Sequence, residues 1–349
     1  MNGKMTAAVL YGKEDVKIER VPIPTLDVGE VLVKVQVALT CGTDLKVYQR
    51  GYHARMIVPP ALFGHEWAGV IEEVGPYVKG FRKGMRVVAL NSAPCGNCFY
   101  CSKHQENLCQ DLLFNNGAYA EYIRIPRRIV ETNLLAIPPH VSFEEAAMVE
   151  PLACVLRGLH ETNVEIGDTV AIIGAGPIGL MFIQVAKLTG CNVISVVKRD
   201  LQVSAARNIG ADSAVQITAV NDPVKAVRKL TPEGRGCDVV IEAVGRPQAW
   251  EWSIDMVRKG GTVNFFGGCA SGTTVALDTQ RLHYNELTLK ASFHHTPEAV
   301  RKAFALICEK KIKGADYITG AEPLSRLQQV LRHMLNRNGD IKTAIIPGR

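Results

Sequence analysis

Four cysteines lie close together in the first third of the chain and could bind a metal ion. Their spacing is C-x2-C-x2-C-x7-C, and they are Cys95, Cys98, Cys101 and Cys109. Four thiolates complete a tetrahedral zinc site without leaving a position for substrate, so the pattern predicts a structural zinc that stabilises a long loop. An iron–sulfur cluster would use the same ligands, although nothing else in the sequence indicates electron transfer. Cysteines that are merely neighbours on the surface are the remaining alternative.

A second set of metal-binding residue types is dispersed along the chain. Cys41 stands in the segment TCGTD, His65 and Glu66 are adjacent in GHEW, and Glu150 precedes a proline. A thiolate, an imidazole and a carboxylate leave a fourth position on zinc for water or substrate, as catalytic zinc sites require. Singly, Cys41 would more often be a buried apolar residue and His65 a hydrogen-bonded turn histidine. Together these residues indicate a Lewis-acid centre.

A glycine-rich segment, GAGPIG, follows the apolar run VAII and begins a helical pattern. The first glycine permits a tight turn, the second lets the backbone approach a pyrophosphate, and the third lets the helix pack against the strand. A G-x-G-x-x-G motif is weak evidence alone, but this one has the strand, turn and helix context that a dinucleotide site needs. The predicted cofactor-binding residues here are Gly174, Gly176, Pro177, Ile178 and Gly179.

The choice between NAD and NADP depends on the end of the next strand. NAD sites place a carboxylate about 20 residues beyond the glycine motif, where it binds the ribose hydroxyls. Here the strand ends Val197-Lys198-Arg199-Asp200, and the diagnostic position is Val197 or Lys198. Lys198 and Arg199 therefore predict a site for a 2′-phosphate, and so NADP. A longer strand would bring Asp200 to the ribose and favour NAD instead.

The elements that must position these groups change character along the chain. Up to about Ile137, glycine and proline turns separate short strands such as Val31–Leu39, in which apolar and polar residues alternate. This pattern predicts a mostly antiparallel β domain. Ser142 and Glu145 then form a capping-box pattern, which predicts the start of a helix.

From Gly167 to about Ala291, strands and helices alternate as in a doubly wound parallel sheet. The predicted strands are 169–173, 192–197, 214–217, 238–244 and 262–266, and the predicted helices are 177–189, 201–209 and 248–258. A helix at 297–310, another near 324–335 and a last strand at 342–346 are expected to return to the first domain. We therefore expect a catalytic domain of residues 1–150 and 292–349 and a dinucleotide-binding domain of residues 151–291.

Composition excludes several other classes of protein. The 349 residues are 47% hydrophobic and 21% charged, with a net charge of +6, which excludes disordered, collagen-like and coiled-coil chains. The basic residues are not clustered as in a nucleic-acid-binding arm, and no apolar run reaches the roughly 18 residues of a membrane span. The chain starts MNGKM, without the apolar stretch of a secretory signal. We expect a cytoplasmic protein without nucleic-acid or membrane partners.

In order and rough spacing, these motifs resemble the zinc-containing medium-chain alcohol dehydrogenases over the whole chain. The segments that carry the resemblance are 41–44 (CGTD), 64–66 (GHE), the four-cysteine loop, 150–152 (EPL) and 174–179. The His-Glu pair together with Glu-Pro-Leu is similar to the sorbitol and polyol branch and to the threonine dehydrogenases. The resemblance implies an α/β protein with a β-rich GroES-like catalytic domain and a doubly wound parallel (Rossmann) dinucleotide-binding domain.

The same resemblance implies roles for individual residues. Cys41, His65 and Glu66 would hold the catalytic zinc, and Glu150 would reach the zinc-bound water or the substrate. Thr43 would accept the proton of the substrate hydroxyl. The implied cofactor contacts are the backbone groups of Phe266, Gly267 and Gly268 at the nicotinamide amide, and Ser292, Phe293 and His294, which would close over cofactor and substrate.

The implied reaction is hydride transfer between a nicotinamide and a secondary hydroxyl of a polyol, sugar or cyclitol. The resemblance also implies a homodimer or homotetramer that pairs through an edge strand near 262–266. Two positions depart from the family, because Lys46 replaces a proton-passing histidine and His294-His295 replaces an Arg-Tyr pair beside the substrate. The identity of the substrate therefore cannot be copied from relatives.

Three alternatives remain at this point. A threonine 3-dehydrogenase would share nearly every motif, although the histidine that those enzymes carry before the structural cysteines is missing from 91–94 (NSAP). A zinc-free quinone reductase should lack both the metal ligands and the cysteine loop. From another class, the chain could be a non-catalytic dinucleotide-binding protein, but the joint presence of Cys41, Thr43, His65 and Glu66 argues against it.

Overall fold

Two compact units make up this computed structural model, which describes residues 3–53, 55–336 and 340–348. Unit 1 comprises Met1–Ala153 and His295–Arg349, and unit 2 comprises Cys154–His294. Among the described residues, no helix is both long and apolar enough to span a membrane.

The strands, in chain order, are β1 (Lys4–Gly12), β2 (Asp15–Pro22), β3 (Val31–Leu39), β4 (Ala61–Leu62), β5 (Glu66–Val74), β6 (Arg86–Ala89), β7 (Ser92–Ala93), β8 (Leu113–Phe114), β9 (Tyr122–Ile125), β10 (Leu134–Ala136), β11 (Thr169–Ile173), β12 (Asn192–Val197), β13 (Ser213–Gln216), β14 (Cys237–Glu242), β15 (Val257–Phe265), β16 (Thr288–Ala291), β17 (Ile318–Pro323) and β18 (Lys342–Ile346).

The α-helices are α1 (Gly42–Arg50), α2 (Phe99–Ser102), α3 (Arg127–Asn133), α4 (Phe143–Ala147), α5 (Val149–His160), α6 (Pro177–Leu188), α7 (Asp200–Ile209), α8 (Pro223–Lys229), α9 (Pro247–Met256), α10 (Thr279–Tyr284), α11 (Pro297–Cys308) and α12 (Leu327–Leu335). The predicted capping box is present at the start of α4, where Ser142 and Glu145 exchange hydrogen bonds.

Unit 1 is built around a seven-stranded sheet of order β10-β6-β5-β3-β18-β17, with β9 also paired to β3. All of its strand pairs are antiparallel except β17 with β18. A three-stranded sheet (β2-β1-β4) and the β7–β8 pair complete the unit. The core contains Val33 and Val35 of β3 together with Trp67 and Tyr119. The prediction of a mostly antiparallel β domain is confirmed.

The C-terminal segment belongs to the same sheet. β18 runs antiparallel to β3, with Ala344 opposite Leu39 and Ile345 opposite Ala38. The apolar face of α12, including Leu327 and Leu331, packs into the core of unit 1. This register places the first residue of β18 beside the end of β3, where the metal-ligand motif begins.

Unit 2 is a six-stranded sheet of order β13-β12-β11-β14-β15-β16 in which every pair is parallel. This is the strand order of the Rossmann fold, in which ligands bind outside the carboxyl ends of the strands where the order reverses. The predicted α/β class with a doubly wound sheet is therefore confirmed. Here the reversal lies between β11 and β14, directly beside the glycine-rich turn.

Two expectations about unit 2 are wrong. The segment 262–266 is not an edge strand, because β15 begins at Val257 and lies between β14 and β16. The edge on this side of the sheet is β16, a strand of only four residues (TLKA), three of them exposed. The helix expected to continue to Arg258 ends at Met256, since Val257 has extended dihedral angles and starts the strand.

Candidate metal centres and dinucleotide site

The four clustered cysteines lie in the loop between β7 and β8. Their sulfur atoms are separated by 3.4 Å (Cys95–Cys109), 3.5 Å (Cys98–Cys101), 3.8 Å (Cys98–Cys109) and 4.0 Å (Cys95–Cys101). Four sulfurs about 2.3 Å from one zinc ion would lie about 3.8 Å apart, whereas disulfide sulfurs are about 2.05 Å apart. The loop therefore fits a single zinc ion. Backbone N–H groups of Gln110 and Cys101 lower the pKa of Cys98 to about 6, which favours its thiolate, whereas burial raises the pKa of Cys101 to about 12, so the fit to zinc rests on the sulfur geometry.

Cys41, His65 and Glu66 come together at one end of the large sheet. Each offers one ligand atom, and these atoms all lie within 4.8 Å of one another. The β3–β5 pairing causes this meeting, because it places Leu39 opposite Glu66 while Cys41 follows at the N-terminus of α1. The N–H group of Thr43 donates to the Cys41 sulfur at 3.4 Å. One thiolate, one imidazole and one carboxylate leave a fourth position on zinc, as an open catalytic site requires.

His65 is oriented by a buried carboxylate. Its Nδ1 lies 3.0 Å from Asp44 Oδ1, and the Tyr119 hydroxyl donates to Asp44 Oδ2 at 2.7 Å. An N–H donated from Nδ1 to Asp44 leaves the Nε2 lone pair for a metal ion. Burial lowers the pKa of His65, but the negative charges of Asp44 and Cys41 outweigh it and hold the pKa well above its ordinary value. The sequence alone did not indicate this role for Asp44, although its place in the Cys41 motif (TCGTD) was a usable signal.

Glu66 is buried and faces a buried lysine. Lys342 Nζ lies 2.6 Å from Glu66 Oε2 and donates to the Thr40 carbonyl at 2.8 Å. Burial lowers the pKa of Lys342, but Glu66 and Cys41 raise it by more. Glu66 Oε1 has no hydrogen-bond partner among the described residues. Because buried polar atoms are normally satisfied, this oxygen fits a metal ligand. No sequence signal pointed to Lys342, which lies near the other end of the chain.

Glu150 lies near the start of α5 and is buried. Its pKa is raised to about 7, chiefly by burial and also by the carboxylates of Glu66 and Asp44, against the opposing charges of His65 and Lys342. A carboxyl group with this pKa exchanges a proton near neutral pH, which is suited to general acid–base chemistry.

The glycine-rich turn connects β11 to α6. A Cβ added at Gly179 would lie 1.9 Å from the Gly174 carbonyl oxygen, so only glycine lets the helix approach the turn this closely. A Cβ added at Gly176 would meet nothing within 4 Å. Gly176 therefore borders open space at the N-terminus of α6, whose first turn contains Pro177 and Ile178. Unpaired N–H groups at such a helix end favour a phosphate.

The end of β12 presents basic side chains. The strand stops at Val197, Lys198 and Arg199 are exposed, and Asp200 already belongs to α7. Asp200 accepts a hydrogen bond from Gln216 Nε2 at 2.8 Å. The strand extension that would bring Asp200 to the ribose is not present.

The other predicted cofactor residues follow β15 and β16. The N–H groups of Phe266 and Gly267 donate to the Glu242 carbonyl, and the Trp250 indole donates to the Gly267 carbonyl, so these bonds shape the turn that ends at Gly268. Beyond β16, Ser292 accepts a hydrogen bond from Asn264 at 3.0 Å and the Phe293 carbonyl accepts one from Arg157. His294 has a positive φ of 66°.

We expect two zinc ions per chain with separable roles. Cys98→Ser should remove one zinc and lower the melting temperature, because a structural zinc contributes folding free energy directly. Cys41→Ser should remove the other zinc with little effect on melting. Cys308→Ser, which lies outside both sites, is the control. Elemental analysis and thermal melts check this, and fewer than two zinc ions in wild-type protein purified without chelator would refute it.

Alanine substitutions at the two glycines of the turn should have different effects, one on stability and the other on cofactor binding. Gly179→Ala should destabilise unit 2 by about 1–3 kcal/mol, because the new methyl group overlaps the Gly174 carbonyl. Gly176→Ala should leave the melting temperature unchanged but weaken NADPH binding about tenfold or more, because its methyl occupies the space expected for the pyrophosphate. Thermal melts and NADPH fluorescence titrations measure both effects. Wild-type affinity in Gly176→Ala would contradict this placement of the pyrophosphate.

Comparison with known proteins places the chain in a family. Residues 27–138 match the alcohol dehydrogenase GroES-like domain and residues 177–309 match the zinc-binding dehydrogenase family. The chain is 31% identical to the sorbitol dehydrogenase of Bacillus subtilis (strain 168) over 99% of this chain and 98% of that protein. It is 32% identical to the L-threonine 3-dehydrogenase of the same organism over 99% of each.

A solved structure of a zinc-binding dehydrogenase from Sinorhizobium meliloti 1021, bound to NADP, is also similar. It shares 30% sequence identity and a TM-score of 0.89, covering 99% of this chain and 100% of that one. The chain therefore belongs to the zinc-containing medium-chain alcohol dehydrogenase family and is similar to its sorbitol dehydrogenase branch, as the motifs predicted.

Proposed function

We propose that this protein is a zinc-dependent oxidoreductase that transfers a hydride between NADP(H) and a secondary hydroxyl of a polyol, sugar or cyclitol. The observation that carries the proposal is the convergence of Cys41, His65 and Glu66 within 4.8 Å, with a buried Glu66 oxygen that has no partner among the described residues. We assign the metal chemistry to unit 1 and dinucleotide binding to unit 2. A zinc ion bound there would lower the pKa of the substrate hydroxyl, and the nicotinamide would take up the hydride.

The protein's own residues hold the reacting groups and move the proton. Cys41, His65 and Glu66 provide the three metal ligands, and Asp44 fixes the orientation of His65. Thr43, two residues beyond Cys41, accepts the proton of the substrate hydroxyl. Glu150, with its pKa near 7, binds water or substrate beside this cluster. The four-cysteine loop holds a second, structural zinc.

The proposed preference for NADP depends on charge at the end of β12. Lys198 and Arg199 are exposed there, and neither Val197 nor Lys198 supplies the carboxylate that an NAD site needs. Asp200 is the first residue of α7 and accepts a hydrogen bond from Gln216. Arg199 can bind a 2′-phosphate through two nitrogens while Lys198 adds positive charge.

The relatives support a hydroxylated substrate of low molecular weight. A sorbitol dehydrogenase and a threonine dehydrogenase are about equally similar to this chain. We favour a polyol, sugar or cyclitol because residues 91–94 lack the histidine of threonine dehydrogenases. Asn91 is buried there and its side-chain oxygen lies 3.2 Å from His295 Nε2.

We further propose a homodimer or homotetramer that pairs through β16, one of the two edge strands of the unit 2 sheet. A cytoplasmic location is consistent with the cysteines, since none of the ten forms a disulfide among the described residues.

Removing the Thr43 hydroxyl should slow the reaction without removing the metal. We expect Thr43→Ala to lower kcat by about 100-fold or more, as loss of a positioned proton acceptor does. Thr43→Ser should retain most of the activity because it keeps the hydroxyl. Steady-state rates with a panel of polyols and cyclitols, alongside zinc analysis of each variant, test this. Equal rates for wild type and Thr43→Ala would exclude the role.

Cofactor preference tests the charge argument. Wild-type kcat/KM should be higher with NADP than with NAD for the same substrate. Arg199→Ala should lower kcat/KM for NADP about tenfold or more, the loss of one charge-assisted contact, and should leave the NAD value unchanged. Arg207→Ala, at the other end of α7, is the matched control. A wild-type preference for NAD would overturn the assignment.

A further inference from the structure

Lys342 is a fully buried lysine, and a buried ammonium group is unusual in a protein core. It is 2% exposed, and the β18–β3 register holds it beside Thr40 at the end of β3. The Thr40 N–H donates to the Thr343 carbonyl at 3.1 Å and the Thr343 N–H donates to the Thr40 hydroxyl oxygen at 2.9 Å, and these two bonds fix the junction. Burying an ammonium group costs several kcal/mol even when it is paired, and an apolar side chain of similar size often stabilises a fold equally well. The charge is therefore better explained by the site than by the fold.

The ammonium group touches one metal-ligand candidate directly. Its Nζ lies 2.6 Å from Glu66 Oε2, while Oε1 of the same carboxylate has no hydrogen-bond partner among the described residues. The Glu66 ligand atom lies within 4.8 Å of those of Cys41 and His65. One carboxylate therefore stands between a fixed protein cation and the place for a divalent cation.

We propose that Lys342 is a positioning residue for Glu66. It weakens the bond between the Glu66 carboxylate and the catalytic metal, so that the carboxylate can leave the metal and bind it again. This inference rests on the proposed function, because it requires zinc at Cys41, His65 and Glu66. Lys342 competes with the metal for the carboxylate, and its positive charge repels a divalent cation nearby. It also keeps Glu66 paired whenever the carboxylate leaves the metal, so that ligand exchange leaves no uncompensated buried charge.

The test is the rate at which zinc leaves the Cys41 site of the holoenzyme. We expect Lys342→Met to slow zinc release to an excess of a chromogenic chelator about tenfold or more, within the range by which residues behind metal ligands change affinity. The structural zinc is identified by its retention in Cys41→Ser. Lys187→Met is the matched control, because Lys187 forms its ion pair with Asp212, at 2.8 Å, in unit 2. This variant should release zinc at the wild-type rate.

Further variants separate charge from folding. Lys342→Gln removes the charge but can still donate to the Thr40 carbonyl, so it should also release zinc slowly and serves if Lys342→Met does not fold. Lys342→Arg keeps the charge and should restore release toward the wild-type rate. A lower melting temperature with wild-type zinc release in both neutral variants would show a purely structural role and overturn the inference. Wild-type protein with only the structural zinc would overturn the proposed function, and this inference with it.

Discussion

The concentration of negative charge inside unit 1 is the constraint on which the rest of its structure depends. Asp44, Glu66 and Glu150 are buried in one region beside the half-buried Cys41, and buried charges are tolerated only when cations and hydrogen-bond donors compensate them. His65 and Tyr119 form hydrogen bonds with Asp44, and Lys342 forms an ion pair with Glu66. The compensation is incomplete at Glu66 Oε1, and a divalent cation would complete it.

This constraint explains why distant segments share one sheet. β3 ends at the Cys41 motif, β5 begins at Glu66, and β18 begins at Lys342, so three strand ends supply a ligand motif, a ligand and a counter-charge. Strands hold these groups with little freedom, as a preorganised metal site requires. The four-cysteine loop has few apolar residues of its own in the core and would depend instead on the structural zinc that we propose for it.

Unit 2 is suited to a different task. Its glycine-rich turn would bind the phosphates of a dinucleotide through backbone N–H groups rather than through charged side chains. Gly179 lets α6 approach the turn, and Gly176 leaves open space at the helix N-terminus. In the site that we propose, the choice between NAD and NADP would depend on the side chains at the end of β12, where Lys198 and Arg199 are exposed. Binding of the pyrophosphate and choice of the cofactor would thus depend on separate residues.

The local pattern of the sequence determined many of the strand bounds and the positions of the binding motifs. The bounds of β3, β12 and β18 were predicted to the residue, and the metal and glycine motifs were visible, because each depends on neighbours along the chain. Tertiary structure alone decided that Lys342 meets Glu66, that Tyr119 meets Asp44 and that β16 forms an edge of the unit 2 sheet. The hydrophobic pattern of a strand sets which face it buries, but it does not show which distant segment lies beside the strand.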